Sequence, residues 1–168
     1  MELQERIKKI IERLSKKGLS LSIAESCTGG YISHMITNIS GASKVFDSAI
    51  ICYSNQAKIA FLNVDETIIE SYGAVSDPVA RQLANNIRIL SNVDIGIGIT
   101  GIAGPTGGTL EKPIGLVFIG FSTENETLVE EFQFKSDRIT FKQKVLEKVI
   151  EYLERYSPEN FLGFNKAG

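Results

Sequence analysis

The chain has 168 residues, with 18 Lys and Arg residues against 20 Asp and Glu residues, so its formal net charge is −2. This length is enough for one domain with a substantial core. The near-neutral charge argues against a broad nucleic-acid-binding surface, and no apolar run approaches the roughly 20 residues of a membrane span. We therefore expect a cytoplasmic domain that binds neither nucleic acid nor membrane.

Helices and strands alternate along the first half of the chain. Apolar residues at helical spacing from Leu3 to Leu14, stopped by Gly18, predict the first helix. The next predicted elements are a strand at 19–24, a helix at 28–39, a strand at 45–53, helices at 54–62, 65–71 and 77–90, and a strand at 93–99. They are followed by a glycine-rich loop at 100–113, strands at 114–122 and 128–135, and a helix at 137–156.

This order of elements predicts a single α/β domain. Alternating helices and strands followed by a strand hairpin are typical of a mixed sheet that is covered by helices on both faces. We expect the domain to span residues 1–156. The polar, glycine-containing segment 157–168 is interpreted as a C-terminal tail.

A serine, a cysteine and a threonine stand side by side where the first strand gives way to a helix. The segment "IAESCTGG" (23–30) places Ser26 at this junction. Ligands of α/β proteins bind at the carboxyl edge of the sheet, and free N–H groups at a helix start can hold an oxyanion or a phosphate. Gly29 and Gly30 would let the main chain approach a ligand closely. In the alternative interpretation, Ser26 and Thr28 only cap the helix.

A histidine base for Ser26 is excluded within one chain. His34 is the only histidine, and it lies eight residues further along the same predicted helix. At about 1.5 Å per residue, it is roughly 12 Å away along the helix axis. If Ser26 is a nucleophile, its base is another group, and a desolvated lysine is the physical alternative because burial favours the neutral amine.

Two further segments could carry chemistry. "YSNQAK" places Tyr53 at a strand end and Lys58 one turn into the next helix. The glycine-rich loop could wrap a phosphate or a sugar with main-chain donors. The alternatives are a solvated helix lysine and a mobile surface loop. With one histidine and two separated cysteines, Cys27 and Cys52, we expect no metal site.

Five sequence blocks together resemble one known family. They are "AESCTGG" (24–30), "GAS" (41–43), "YSNQAK" (53–58), "GAVS" (73–76) and "GITGIAGPTGGTLEKPIG" (98–115). In this order and spacing they resemble the CinA C-terminal domain family, whose characterised members are nicotinamide-nucleotide amidases. The resemblance covers nearly the whole chain.

The resemblance implies a fold and a reaction. The implied fold is a single-domain, three-layer α/β/α sandwich with a mixed sheet. The implied reaction converts nicotinamide mononucleotide to nicotinic acid mononucleotide and ammonia through an acyl-enzyme, with neither cofactor nor metal. By motif, Ser26 is the nucleophile, Lys58 is its base, and Tyr53 orients Lys58 or relays a proton. The implied partners are the small nucleotide substrate and further copies of the chain, in a homodimer or a larger assembly.

The resemblance also implies a set of substrate-binding residues. These are Cys27, Thr28, Gly29, Gly30, Asn55, Thr100, Gly101, Gly104, Gly107, Gly108, Thr109, Arg138 and Lys142. Main-chain N–H groups of 27–30 would bind the oxyanion, while the thiol of Cys27 would point into the core. The family often has a second arginine where this chain has Lys142, and lysine is a point charge without the guanidinium fork.

The competing hypothesis is a non-catalytic nucleotide-binding module of the competence/damage-inducible type. Such a module would keep the glycine-rich loop and lose Ser26 or Lys58, and both are present. Many chains of the family join this domain to a domain that resembles a molybdopterin-binding domain. The sequence predicts one domain, so we expect a stand-alone form.

Overall fold

The computed structural model describes residues 2–156. The predicted tail at 157–168 therefore lies outside the described residues. The helices are α1 Leu3–Lys17, α2 Tyr31–Thr37, α3 Asn55–Leu62, α4 Glu66–Tyr72, α5 Asp77–Ser91 and α6 Arg138–Arg155. The strands are β1 Leu21–Glu25, β2 Phe46–Ile51, β3 Ile95–Gly101, β4 Leu116–Ser122 and β5 Thr127–Gln133. A short 3-10 turn covers Ala42–Lys44.

The strands form one mixed sheet of five, in the order β2-β1-β3-β4-β5. β1 is parallel to β2 and β3, and β4 is antiparallel to both of its neighbours. One face packs against α1, α2 and α6, and the other packs against α3, α4 and α5. The predicted three-layer α/β/α sandwich is confirmed.

The parallel strands bring the predicted segments to one edge of the sheet. β1 is buried along its whole length, as expected for a central strand between two helical layers. Its last residue pairs with Ile51 of β2 and Ile99 of β3. The segments that follow these three strands therefore meet at the carboxyl edge, where α/β proteins bind ligands.

Helix α5 lies directly on the sheet because three strand residues have no side chain there. A Cβ built on Gly96 or Gly120 would lie 2.1 Å or 2.4 Å from a main-chain oxygen of α5. On Gly98 it would lie 2.4 Å from the main-chain nitrogen of Ala84. Protein interiors are close-packed, so a methyl group here displaces the helix. The glycines thus set how closely α5, and the loop that precedes it, approaches β3.

Gly98→Ala tests this packing. The added methyl meets main-chain atoms of α5, which cannot turn aside as a flexible side chain can. We expect the free energy of unfolding to fall by about 1–3 kcal/mol, the usual cost of overpacking. Urea unfolding followed by circular dichroism measures the change, and an unaltered midpoint would show that α5 does not need this close approach.

Helix α2 begins later than the sequence predicted. It starts at Tyr31 rather than at Thr28, because Gly29 and Gly30 adopt φ angles of +60° and +91°. Left-handed backbone of this kind favours glycine and interrupts a right-handed helix. The segment 26–30 is therefore a separate turn between β1 and α2.

Candidate active site

Ser26 is held at the carboxyl end of β1 by its own main chain. Its N–H donates to the carbonyl of Ile99 in β3 at 3.1 Å, which continues the sheet ladder by one residue. Its carbonyl accepts from the N–H of Gly29 at 3.1 Å and closes the turn. Both main-chain groups of Ser26 are therefore bonded, and its hydroxyl is turned toward α3.

Lys58 meets Ser26 although 32 residues separate them. Ser54 is the N-cap of helix α3, because its hydroxyl accepts from the N–H of Ala57 at 3.0 Å. Lys58, one turn into this helix, is only 2% exposed. Its Nζ lies 2.9 Å from Ser26 Oγ, so the two side chains are within hydrogen-bond distance of each other.

Two carbonyl groups complete the surroundings of the Lys58 amine. Nζ donates to the carbonyl of Cys52 at 2.9 Å and to that of Tyr53 at 3.3 Å. Within residues 2–156 the amine forms no ion pair. A neutral amine has two N–H bonds and one lone pair. With both N–H groups on the carbonyls, its lone pair faces Ser26 Oγ, which is the arrangement a base requires.

Burial lowers the pKa of Lys58 from its ordinary value of 10.5. The low-polarity surroundings disfavour the ammonium form, and the nearby Cys52 and Cys27 thiols oppose this effect only in part. The pKa shift and the geometry agree, because both favour an uncharged amine.

The lowered pKa makes stability depend on pH. The unfolded chain, in which the lysine pKa is about 10.4, binds this proton more tightly than the folded protein does. Stability therefore rises as pH rises from the folded pKa to the unfolded pKa. Lys58→Met lacks this titration, so we expect the melting temperature of the wild type to gain on that of the variant as pH increases above neutrality. Thermal unfolding of both proteins across this range measures the gain, and a constant difference would contradict it.

A cleft of about 250 Å³ opens over the pair. The lining includes four apolar residues, Ala74, Val75, Ile102 and Ala103, which we call the apolar wall. The other residues around the cleft are Ser26, Cys27, Tyr53, Asn55, Lys58, Thr100, Gly101, Gly104, Thr106, Gly107 and Arg138. The lining residues include no carboxylate and two basic side chains, so the cleft is compatible with an anionic ligand that has an apolar part.

Tyr53 and Arg138 form the mouth of the cleft. The Tyr53 side chain is 60% exposed, and its phenol oxygen accepts from Arg138 Nη1 at 3.4 Å. Arg138 Nε donates to the carbonyl of Gly104 at 2.7 Å and so joins α6 to the glycine-rich loop. Lys58 hydrogen-bonds to the main-chain carbonyl of Tyr53. The side chain of Asn55 lies beside them, exposed at the start of α3.

Thr100 lines the cleft, and its hydroxyl forms a hydrogen bond within the protein. The side chain is 1% exposed, and Oγ1 donates to the carbonyl of Ala74 at 2.7 Å. This bond ties the end of β3 to the loop that precedes α5. Thr100 therefore supports the apolar wall.

Six of the predicted substrate-binding residues do not line the cleft. Thr28 is fully buried, with its hydroxyl on Glu25, and Gly29 and Gly30 form the turn. Gly108 packs against Ile114, and Thr109 closes a turn with Lys112. Lys142 Nζ lies over Gly29, 3.6 Å from where a Cβ of that residue would be.

Cys27 packs in the core, as its position beside Ser26 predicted. It is 6% exposed and belongs to the apolar cluster beneath α1, α2 and α6. Burial raises the pKa of its thiol to about 12, so the thiolate is disfavoured at neutral pH. His34 lies exposed on α2 and contacts Asn38, away from Ser26.

Sequence reasoning missed Glu25. This carboxylate is fully buried and accepts from the N–H groups of Gly30, Ile32 and Ser33 at the start of α2. The helix start therefore holds an internal carboxylate, which corrects the expectation that its N–H groups are free for a phosphate. An acidic residue just before a helix start is a recognisable signal for such a cap. Sequence reasoning also missed the apolar side chains that line the cleft, whereas Thr106 lies in the glycine-rich loop that the sequence singled out.

The described residues contain no group of three or more His, Cys, Asp or Glu side chains that could hold a metal ion. None of the helices between residues 2 and 156 is long and apolar enough to cross a membrane.

Fold and site together define a single-domain α/β protein with a buried serine–lysine pair at the carboxyl edge of its sheet. The model of the CinA C-terminal domain family matches residues 3–157. The chain belongs to this family, as its sequence blocks predicted.

Relatives and solved structures agree with this assignment. A relative named as a competence-damage inducible protein, from Thermoanaerobacter sp. (strain X514), is 45% identical over 147 residues. The match covers 88% of this chain and 36% of the relative. A CinA-like protein from Dictyoglomus turgidum is 50% identical over 129 residues, 77% of this chain and 31% of its own length. The chain thus spans about a third of these relatives.

Among solved structures, the competence/damage inducible protein CihA from Agrobacterium tumefaciens has a TM-score of 0.87 and 35% identity. The match covers 92% of this chain and 98% of that one.

Proposed function

We propose that this domain hydrolyses the carboxamide of nicotinamide mononucleotide to nicotinic acid mononucleotide and ammonia. The observation that carries the proposal is the buried Lys58 amine, 2.9 Å from Ser26 Oγ and without an ion-pair partner among residues 2–156. The enzyme would need neither cofactor nor metal. It would act in the cytoplasm as a homodimer or a larger homo-oligomer.

The geometry of the pair supports an acylation step. The neutral Lys58 amine takes the Ser26 hydroxyl proton as Oγ attacks the carboxamide carbon. The C–N bond of the tetrahedral intermediate then breaks, and the Lys58 ammonium returns its proton to the departing nitrogen, which leaves as ammonia. The carbonyls of Cys52 and Tyr53 stay hydrogen-bonded to Nζ throughout. This is how Tyr53 would orient Lys58.

Deacylation repeats these proton transfers with water. Lys58 takes a proton from the water that attacks the acyl-serine ester. Oγ then leaves and regains its proton from the Lys58 ammonium. The product is a carboxylic acid, and the dyad returns to its starting state.

Hydrogen bonds within the turn after Ser26 determine which of its main-chain N–H groups remain free to bind the oxyanion. The N–H of Gly29 donates to the Ser26 carbonyl, and that of Gly30 donates to Glu25. Among the described hydrogen bonds of the turn, none uses the N–H groups of Cys27 or Thr28. Of the two residues, Cys27 lines the cleft, so its N–H would stabilise the developing negative charge.

The substrate phosphate would bind at the mouth of the cleft. Arg138 is the cationic side chain there, and it is held in place by Gly104 and Tyr53. A phosphate on its guanidinium would anchor the far end of the nucleotide. The nicotinamide ring would then lie against the apolar wall, with its carboxamide at Ser26. Remote anchoring of this kind positions the reacting group.

The direct test is ammonia release by the purified protein with nicotinamide mononucleotide. We expect one nicotinic acid mononucleotide per ammonia, and slower turnover of nicotinamide riboside, which lacks the phosphate. Ser26→Ala is the matched blank. Ammonia release no faster than that of the blank would reject the amidase, and nucleotide binding without turnover would favour the non-catalytic binding module.

Activity should rise with pH along one ionisation. The base is active only when neutral, and burial lowers the Lys58 pKa below that of an exposed lysine. The midpoint of the rise should therefore lie below pH 10.5, the ordinary lysine pKa. Measurement of kcat/KM against pH tests this, and a midpoint at or above the pKa of an exposed lysine would contradict it.

A further inference from the structure

We propose that Glu25 is a positioning residue that holds both members of the Ser26–Lys58 pair in place. It immediately precedes Ser26 and is fully buried. Neither the sequence blocks nor the mechanism assigns it a role. The inference rests on the proposed function for the reactivity of the Ser26–Lys58 pair and for its choice of substrate.

The Glu25 carboxylate fixes the turn that carries the nucleophile. Oε2 accepts from Thr28 Oγ1 at 2.6 Å, from the Gly30 N–H at 3.0 Å and from the Ile32 N–H at 3.2 Å. Oε1 accepts from the N–H of Ser33 at 2.8 Å and from its hydroxyl. All five groups donate, so the site requires an acceptor at each oxygen. The carboxylate binds residues of the turn and of α2 at once and holds Ser26 between β1 and the helix.

The Glu25 main chain fixes the base. Its carbonyl accepts from the N–H of Cys52 at 2.9 Å and from the thiol of Cys52 at 3.6 Å. The carbonyl of Cys52 in turn accepts from Lys58 Nζ at 2.9 Å. Glu25 thus binds the turn that carries Ser26 through its side chain, and its main-chain carbonyl binds Cys52, which in turn binds Lys58.

Glu25→Gln isolates the side-chain role. The amide has nearly the same shape but only one acceptor oxygen. In either orientation its NH₂ group faces a main-chain N–H, that of Ser33 or those of Gly30 and Ile32. The turn should shift, and displacement of a reacting group by about 1 Å can cost 10²-fold in rate. Arg138 and the apolar wall belong to other segments, so substrate binding should be spared.

The experiment compares Glu25→Gln with Glu154→Gln. Glu154 also accepts two side-chain hydrogen bonds, from Arg6, and it lies on α6 outside the site. For Glu25→Gln we expect kcat to fall by about 10²-fold with KM within about threefold, whereas Glu154→Gln should lose thermal stability but keep its kcat. A folded Glu25→Gln protein with kcat within about twofold of the wild type would overturn the proposal.

Two additional measurements keep the test decisive. If Glu25→Gln does not fold, Thr28→Val removes one hydrogen bond to the carboxylate at constant volume, and its kcat should fall by about tenfold with KM unchanged. A normal kcat for Thr28→Val would then overturn the proposal.

The second measurement is the rate at which a fluorophosphonate labels Ser26. This rate should fall in the same variants even if nicotinamide mononucleotide is not the substrate, so the two proposals fail separately. Unchanged labelling in Glu25→Gln would reject the positioning role.

Discussion

Ser26→Ala should lower kcat by on the order of 10⁴-fold or more. The variant lacks the atom that forms the acyl-enzyme. In the fold, Ser26 Oγ is the hydroxyl that lies 2.9 Å from Lys58 Nζ. Folding should be preserved, because the main-chain bonds of Ser26 to Ile99 and Gly29 do not involve the side chain.

Cys27→Ala is the matched control for this experiment. The thiol is the stronger intrinsic nucleophile, but it is buried in the core, and burial raises its pKa to about 12. We expect this variant to keep most of its kcat and to lose some stability through the missing sulfur. Ammonia release and thermal unfolding of both variants measure the contrast. Equal loss of activity in the two would leave the nucleophile unassigned, and loss in Cys27→Ala alone would overturn the mechanism.

Lys58→Arg should lower kcat by about 10²–10⁴-fold, the usual contribution of a general base. A guanidinium cannot lose its proton in a protein, so it cannot accept one from Ser26. It is also larger, and Lys58 is 2% exposed between two carbonyls. Lys58→Ala should be equally inactive but still bind nicotinamide mononucleotide, because Arg138 and the apolar wall remain.

Lys16→Arg is the matched control, because Lys16 is exposed near the end of α1 and a guanidinium is equally well solvated there. It should keep full activity. Calorimetric titration of the Lys58→Ala variant with the nucleotide separates binding from turnover. Near-normal turnover by Lys58→Arg would refute the dyad, whatever family the chain belongs to.

The same features that are expected to support activity lower the stability of the folded protein. A lysine that is buried without a carboxylate partner among residues 2–156 is costly to fold when protonated. The structure limits this cost with two carbonyl acceptors and a pKa lowered by burial. Active sites often give up stability for function in this way. Glu25 has no such conflict, since every donor around it suits a carboxylate.

Much of the fold could be predicted from local patterns. Buried strands such as β3 read as short apolar runs, and helices such as α1 show apolar residues at helical spacing. Ser26 could be located at a strand–helix junction, and His34 could be excluded as its base by helix geometry alone. These inferences need only neighbouring residues, and local sequence contains that information.

Only the tertiary structure decided which polar groups meet. Nothing in "NQAKIAFL" marks Lys58 as buried, since a lysine one turn into a short helix is ordinarily solvated. Its amine is enclosed by the segments that follow β1 and β2, where it meets Ser26 and the carbonyls of Cys52 and Tyr53. Likewise, Thr28 could bind substrate or cap a helix until the Glu25 carboxylate is placed beside it. Burial and hydrogen-bond partners depend on residues far apart in the chain, whereas periodicity reports only on neighbours. The family resemblance implied that Lys58 is the base of Ser26, but their contact and its burial came from the fold.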